Sequence, residues 1–217
     1  PIPLGLGLGA KYTALMLLLL CVLLITTLGG MLVQLLNGYT HIEPGIYLGS
    51  YILPELLTFG VLAALSFAVH VLVNNKYIGY AVFIGLWATF TFLLWAALDV
   101  SSHLAVFNTA PGIRYSDMNA YGSGLKAYMW FKAYWWAFAS VLMVITLFFW
   151  IRGKETTMKW RSRLARIRFM ENKWLALPAL AAWIGLGAWN YYNTKVLNTM
   201  TSSDEQEEDA VYYEKTY

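Results

Sequence analysis

Five stretches of this chain are each about 20 residues long and nearly free of charge: Tyr12 to Leu36, Tyr51 to Val73, Tyr77 to Leu98, Ala127 to Ile151 and Trp174 to Tyr192. A helix rises about 1.5 Å per residue and the hydrocarbon core of a bilayer is about 30 Å thick, so each stretch is long enough to cross it. The expected fold is all-α, a polytopic membrane bundle of five transmembrane helices. Composition agrees: only 12% of residues are charged, where about a quarter is usual for a soluble domain, so the chain lacks the polar surface that water requires. Its ten Trp, fifteen Tyr and eleven Phe suit aromatic belts at headgroup level. One Cys excludes an internal disulfide framework and a Cys-based zinc site. The net charge of +3 is too small to argue for a nucleic-acid partner.

Orientation follows from where the charges lie, because Lys and Arg in short loops stay on the cytoplasmic side. The loop 152–173 holds Arg152, Lys154, Lys159, Arg161, Arg163, Arg166, Arg168 and Lys173, eight of the fifteen basic residues. Threading back from it puts Lys76 and Lys11 inside, and the loops 37–50 and 99–126 outside. The polar segment 193–217 then exits outside, carrying Asp204, Glu205, Glu207, Glu208, Asp209 and Glu214. The expected topology is N-terminus in, C-terminus out. Within the basic loop, Trp160, Leu164 and Ile167 fall at helical spacing among the arginines, which predicts a short amphipathic helix on the inner leaflet. Residues 1–11 read as a cytoplasmic lead-in made flexible by Gly5, Gly7 and Gly9. The chain opens on Pro1 and its polar tail points to a further outside domain, so a longer protein is expected.

No catalytic constellation is visible in the sequence. It carries no His-Glu-x-x-His, no Gly-x-Ser-x-Gly elbow and no phosphate-binding Walker loop, and His41, His70 and His103 are scattered. Ionisable residues inside a span are the default functional candidates. Glu55 and Lys132 each fall about one turn inside the outer boundary, and they are expected to pair across the bundle. Pro54 and the dipole favour a carboxylate at the start of the second helix. The outer loop 99–126 is rich in turn formers around Pro111-Gly112-Ile113-Arg114-Tyr115-Ser116-Asp117-Met118-Asn119, which predicts an ordered cap with Arg114, Asp117 and Asn119 as candidate contacts. Gly29-Gly30 and Gly185-Leu186-Gly187 are candidate points of close helix approach.

The run Tyr115-Ser116-Asp117-Met118-Asn119, then Trp130-Phe131, Tyr134-Trp135, Trp150-Ile151-Arg152-Gly153 and the exit Tyr191-Tyr192-Asn193-Thr194-Lys195-Val196-Leu197-Asn198, resembles the bacterial fusion of an ABC-2 type exporter permease with a zinc aminopeptidase. Ala120 stands where the family pattern has Gly. The resemblance implies a bacterial inner-membrane location. It also implies a separate ABC ATPase subunit that binds ATP, membrane lipids as surroundings, and a homodimer or paired permease half. It places the zinc and the peptidase catalysis in a domain that would follow residue 217, so this chain itself holds no cofactor and performs no hydrolysis. It casts the inner turn Asn74-Asn75-Lys76-Tyr77 as the site that receives force from the ATPase. Such permeases usually have six spans, and the acidic tail favours an outward exit in place of the sixth. The competing reading is a non-transporting membrane anchor for an outside metallopeptidase.

Overall fold

The computed structural model describes residues 4–93, 102–122, 124–151, 157–197 and 211–213. Arg152, Lys154, residues 94–98 of the third expected span and the six acidic residues of the tail lie outside them. The described residues are helical apart from the connections and one isolated antiparallel bridge between Ser116 and Ala120. The long elements are α1 (Leu4–Leu36), α2 (Pro44–Val73), α3 (Lys76–Ala88), α4 (Gly124–Phe149), α5 (Met158–Glu171) and α6 (Lys173–Tyr191). Three of them, α1, α2 and α4, are long and apolar enough to cross a membrane. The third expected span is seen as α3, continued by a π-helical turn Thr89–Leu93, and the fifth as α6, continued through Tyr192–Leu197.

Local sequence explains the shape of α2. It starts with Pro44 in its first turn, where a missing N–H costs nothing. A π-helical turn at Leu48–Ile52 lies just ahead of Pro54, whose ring in a regular helix would meet the carbonyl of Ser50; widening the helix there accommodates it. Asn74 ends the helix in the left-handed conformation (φ +54°), with its N–H bonded to the His70 carbonyl. Asn75 then caps α3, its Oδ1 accepting from the N–H groups of Tyr77 (3.0 Å) and Ile78 (3.2 Å). Two asparagines thus make the hairpin, one tolerating the left-handed turn and the other satisfying orphan amides.

The flexible lead-in is replaced by helix. α1 begins at Leu4 and runs through Gly5, Gly7 and Gly9, because Leu8 is buried and Leu4 and Gly5 border a cleft with Leu147 and Phe148 of α4. Packing outweighs the roughly 1 kcal/mol that each glycine costs a helix.

The centre of the molecule is α4, which packs against α2 on one side and α6 on the other. Its core joins Val61, Ala64, Leu65 and Val69 of α2 to Tyr134, Trp135 and Ala139 of α4, with Phe107 of the outer loop inserted among them. Phe107 meets Trp135 edge to face at 5.2 Å, and Tyr134 stacks on Trp183 of α6 at 6.2 Å. Among the expected glycine contacts, Gly187 is a close approach, 3.2 Å from Tyr134 to an imagined Cβ, while Gly29, Gly30 and Gly185 face open space. The tightest helix contact is elsewhere, at Gly60, where a Cβ would lie 2.5 Å from the Trp136 ring.

Candidate functional site: a buried lysine and the two ends of the bundle

Lys132 sits on the face of α4 turned to α2 and is only 5% exposed. Its ammonium donates to Thr58 Oγ1 (2.9 Å), to the Asn108 carbonyl (3.0 Å) and to Asn108 Oδ1 (3.2 Å). All three N–H bonds are therefore used. Asn108 completes the network by donating from Nδ2 to the Thr58 carbonyl at 2.9 Å, and Thr58 Oγ1 in turn donates to the Pro54 carbonyl at 2.9 Å. The ammonium also lies 5.7 Å from the centroid of the Tyr128 ring, at the outer limit of a cation–π contact.

The expected Glu55–Lys132 ion pair does not form. Glu55 is within Coulombic reach of Lys132, but the two side chains make no salt bridge. Among the described residues the contact of that kind is between His41 Nε2 and Glu43 Oε1 at 2.8 Å, a hydrogen bond that is an ion pair only when the imidazole is protonated. The physical reason is competition. Asn108, held at φ +61°, brings two oxygens onto the ammonium from the loop, and neutral acceptors can satisfy a buried cation without desolvating a carboxylate as well.

The outer loop is an ordered cap that reaches into the bundle. Trp135 Nε1 donates to the His103 carbonyl (3.2 Å), and the His103 ring lies edge-on to Phe131 at 5.4 Å. Burial lowers the His103 pKa below its ordinary value, since an imidazolium loses hydration there. A second attachment is made by Tyr121, whose hydroxyl meets Ser50 Oγ at 3.0 Å against Gly49, where a side chain would collide with it. Between these anchors, Ser116 N–H bonds to the Ala120 carbonyl at 2.8 Å, closing a hairpin whose tip, Met118, is 98% exposed. Arg114, Asp117 and Asn119 all lie exposed on this hairpin. The loop brings them to one surface and not to the Lys132 network.

At the opposite end gather Lys11, the Asn74–Asn75 turn and α5. Asn74, Asn75, Lys76 and Tyr77 are all exposed. A helix does form in the basic loop, as α5, but the expected apolar face of Trp160, Leu164 and Ile167 is not the face it buries. Trp160 and Ile167 are exposed, whereas Arg161 and Ala165 are buried. Arg161 Nη1 donates to the Leu72 carbonyl (3.1 Å), and Nη2 donates to those of Val71 and Phe149. Arg168 Nη1 donates to the carbonyls of Phe148 (2.9 Å) and Trp150 (2.6 Å). Burial lowers the Arg168 pKa, with Glu171 opposing that shift. Two arginines one heptad apart thus cap the C-terminal carbonyls of α2 and α4, where helix dipoles favour positive charge.

Sequence reading missed Asn108, Thr58 and Arg161. Asn108 carries no spacing signal, since it stands in an irregular loop. Thr58 lies one turn after Glu55 and Arg161 is one of eight similar cations. Comparison of the chain with protein-family models, with curated proteins and with solved structures finds no match.

Proposed function

We propose that this chain is the membrane permease part of an ATP-driven exporter of the ABC-2 type, joined in its full form to an outward-facing zinc aminopeptidase. In this reading all five apolar stretches cross the bacterial inner membrane. The end with Lys11, Lys76 and α5 faces the cytoplasm, and the loop 102–122 faces outward. The observation that supports the reading best is the Asn74–Tyr77 turn. It is exposed and capped on both sides, so a push on Lys76 or Tyr77 is passed to α2 and α3 with little slack. An ABC ATPase subunit docks there and biases two packings of the bundle through its ATP state. The chain itself needs no cofactor or catalytic side chain for that work. A second copy or a paired half completes the route, as five helices enclose little.

The test is recovery of a nucleotide-binding subunit with the full protein in mild detergent. Lys76→Glu with Tyr77→Ala leaves the Asn75 cap intact and is expected to abolish that recovery while the melting temperature stays unchanged. Failure to recover any such subunit with the unaltered protein overturns the transporter reading and leaves the membrane anchor.

A further inference from the structure

A cavity of about 460 Å³ opens at the Asn74 end of the bundle, among α1, α2, α3, α4 and α5. Its polar wall is made by Lys11, Ser66, His70, Asn74, Tyr80 and Arg161, and the rest is apolar or aromatic. Among its described lining residues there is no carboxylate. Arg161 is 3% exposed, its partners are neutral carbonyls, and its Nε–H is buried with no acceptor. Lys11 is held at the rim with its ammonium 4.8 Å over the Trp150 ring. His70 Nδ1 is bonded to the Ser66 carbonyl at 2.9 Å, while its Nε2 is buried and unpaired. The Arg161 Nε–H thus lacks an acceptor, and among the described lining residues no carboxylate stands by to supply one; a buried donor left in that state costs free energy that an entering anion can recover. The volume falls in the range of small-molecule sites.

We propose that this cavity binds one phosphate-bearing anion, seated between the Lys11 ammonium and the Arg161 guanidinium, with the Ser66 and Tyr80 hydroxyls and the Asn74 amide as hydrogen-bonding neighbours. The phosphate belongs either to a lipid headgroup, whose glycerol end would lie along the apolar wall, or to a free anion. The site does not depend on whether the chain transports anything. Charge-assisted contacts to phosphate are the strong ones, and a cavity at the ends of α2 and α4 is at the level where headgroups lie.

The test uses the full protein, stripped of lipid in detergent, with phosphatidylglycerol, phosphatidylcholine and inorganic phosphate as separate probes. Native mass spectrometry counts bound lipid and a melting curve reads stabilisation. One phosphatidylglycerol per chain is expected to be retained, and Lys11→Gln, a rim change that leaves the Arg161 bonds alone, weakens it about tenfold. Lys11→Arg restores it, and Lys159→Gln, on the exposed side of α5, leaves it unchanged. Stabilisation by inorganic phosphate that Lys11→Gln removes assigns the site to a free anion; stabilisation by phosphatidylglycerol alone assigns it to a headgroup. If Lys11→Gln and Lys159→Gln weaken binding equally, or if no probe responds to Lys11→Gln, the proposal is wrong.

Discussion

Lys132 illustrates how one side chain can fasten a loop to a membrane bundle. Its ammonium takes two of its three acceptors from Asn108, so Asn108→Ala removes the side-chain acceptor and the bond to the Thr58 carbonyl together. The expected cost is about 2–3 kcal/mol, because a buried cation is left short of a partner. In a cycle with Lys132→Met the double variant should lose clearly less than the sum of the singles; thermal unfolding in detergent measures all four proteins, and additive losses would show that the two residues act independently. Ala120 offers a change in the other direction. It adopts φ +46°, which costs an L-residue about 1–2 kcal/mol, against about 0.5–1 kcal/mol of extra unfolded-state entropy for glycine. Ala120→Gly is therefore expected to stabilise by roughly 0.5–1 kcal/mol, and a lowered melting temperature would refute the strain. The sequence flagged Lys132 as a charge inside a span; it had no means of naming Asn108, because a contact 24 residues away through an irregular loop leaves no periodic trace.

Among the helices, close approach is decided by which glycine faces a ring. Gly60 admits Trp136, with no room for a Cβ, so Gly60→Val is expected to destabilise by about 1–3 kcal/mol as helices α1, α2 and α4 are forced apart. Gly185→Ala meets open space and should be neutral or gain up to about 1 kcal/mol from helix propensity. Equal effects of the two in a detergent melting series would contradict this packing. Of the glycines at 29–30 and 185–187 that the sequence offered as contacts, Gly187 lies close to Tyr134 while the other three face open space, because adjacency in the chain says nothing about which face turns inward. The same limit applies to α5. Its apolar positions predicted the helix correctly, while the buried face carries arginines because the helix sits on carbonyl ends of α2 and α4 rather than on an apolar surface.

For the molecule as a whole, polarity sorts into two ends. One gathers Lys11, the Asn74–Asn75 turn and α5, and the other carries the capped outer loop. If the first end is cytoplasmic, a membrane-impermeant maleimide applied to intact cells should label Met118→Cys and leave Lys76→Cys unlabelled, both made in a Cys21→Ser background. The reverse labelling pattern would invert the proposed topology. Both chosen positions are exposed, so access is governed by the membrane and not by burial.

The helical class, the apolar stretches and the segregation of basic residues were fixed by composition and periodicity, since lipid solubility and helix amphipathicity are properties of a segment taken alone. The turn at Asn74–Asn75 was equally local, because its caps bond within three or four residues. Only the tertiary structure decided that Lys132 is satisfied by Asn108 and Thr58 instead of Glu55, that Gly60 is the tight contact, and that Lys11 and Arg161 share a cavity. Each of these joins residues far apart in the chain, and such pairings depend on how helices rotate and lean against one another, which no single segment encodes.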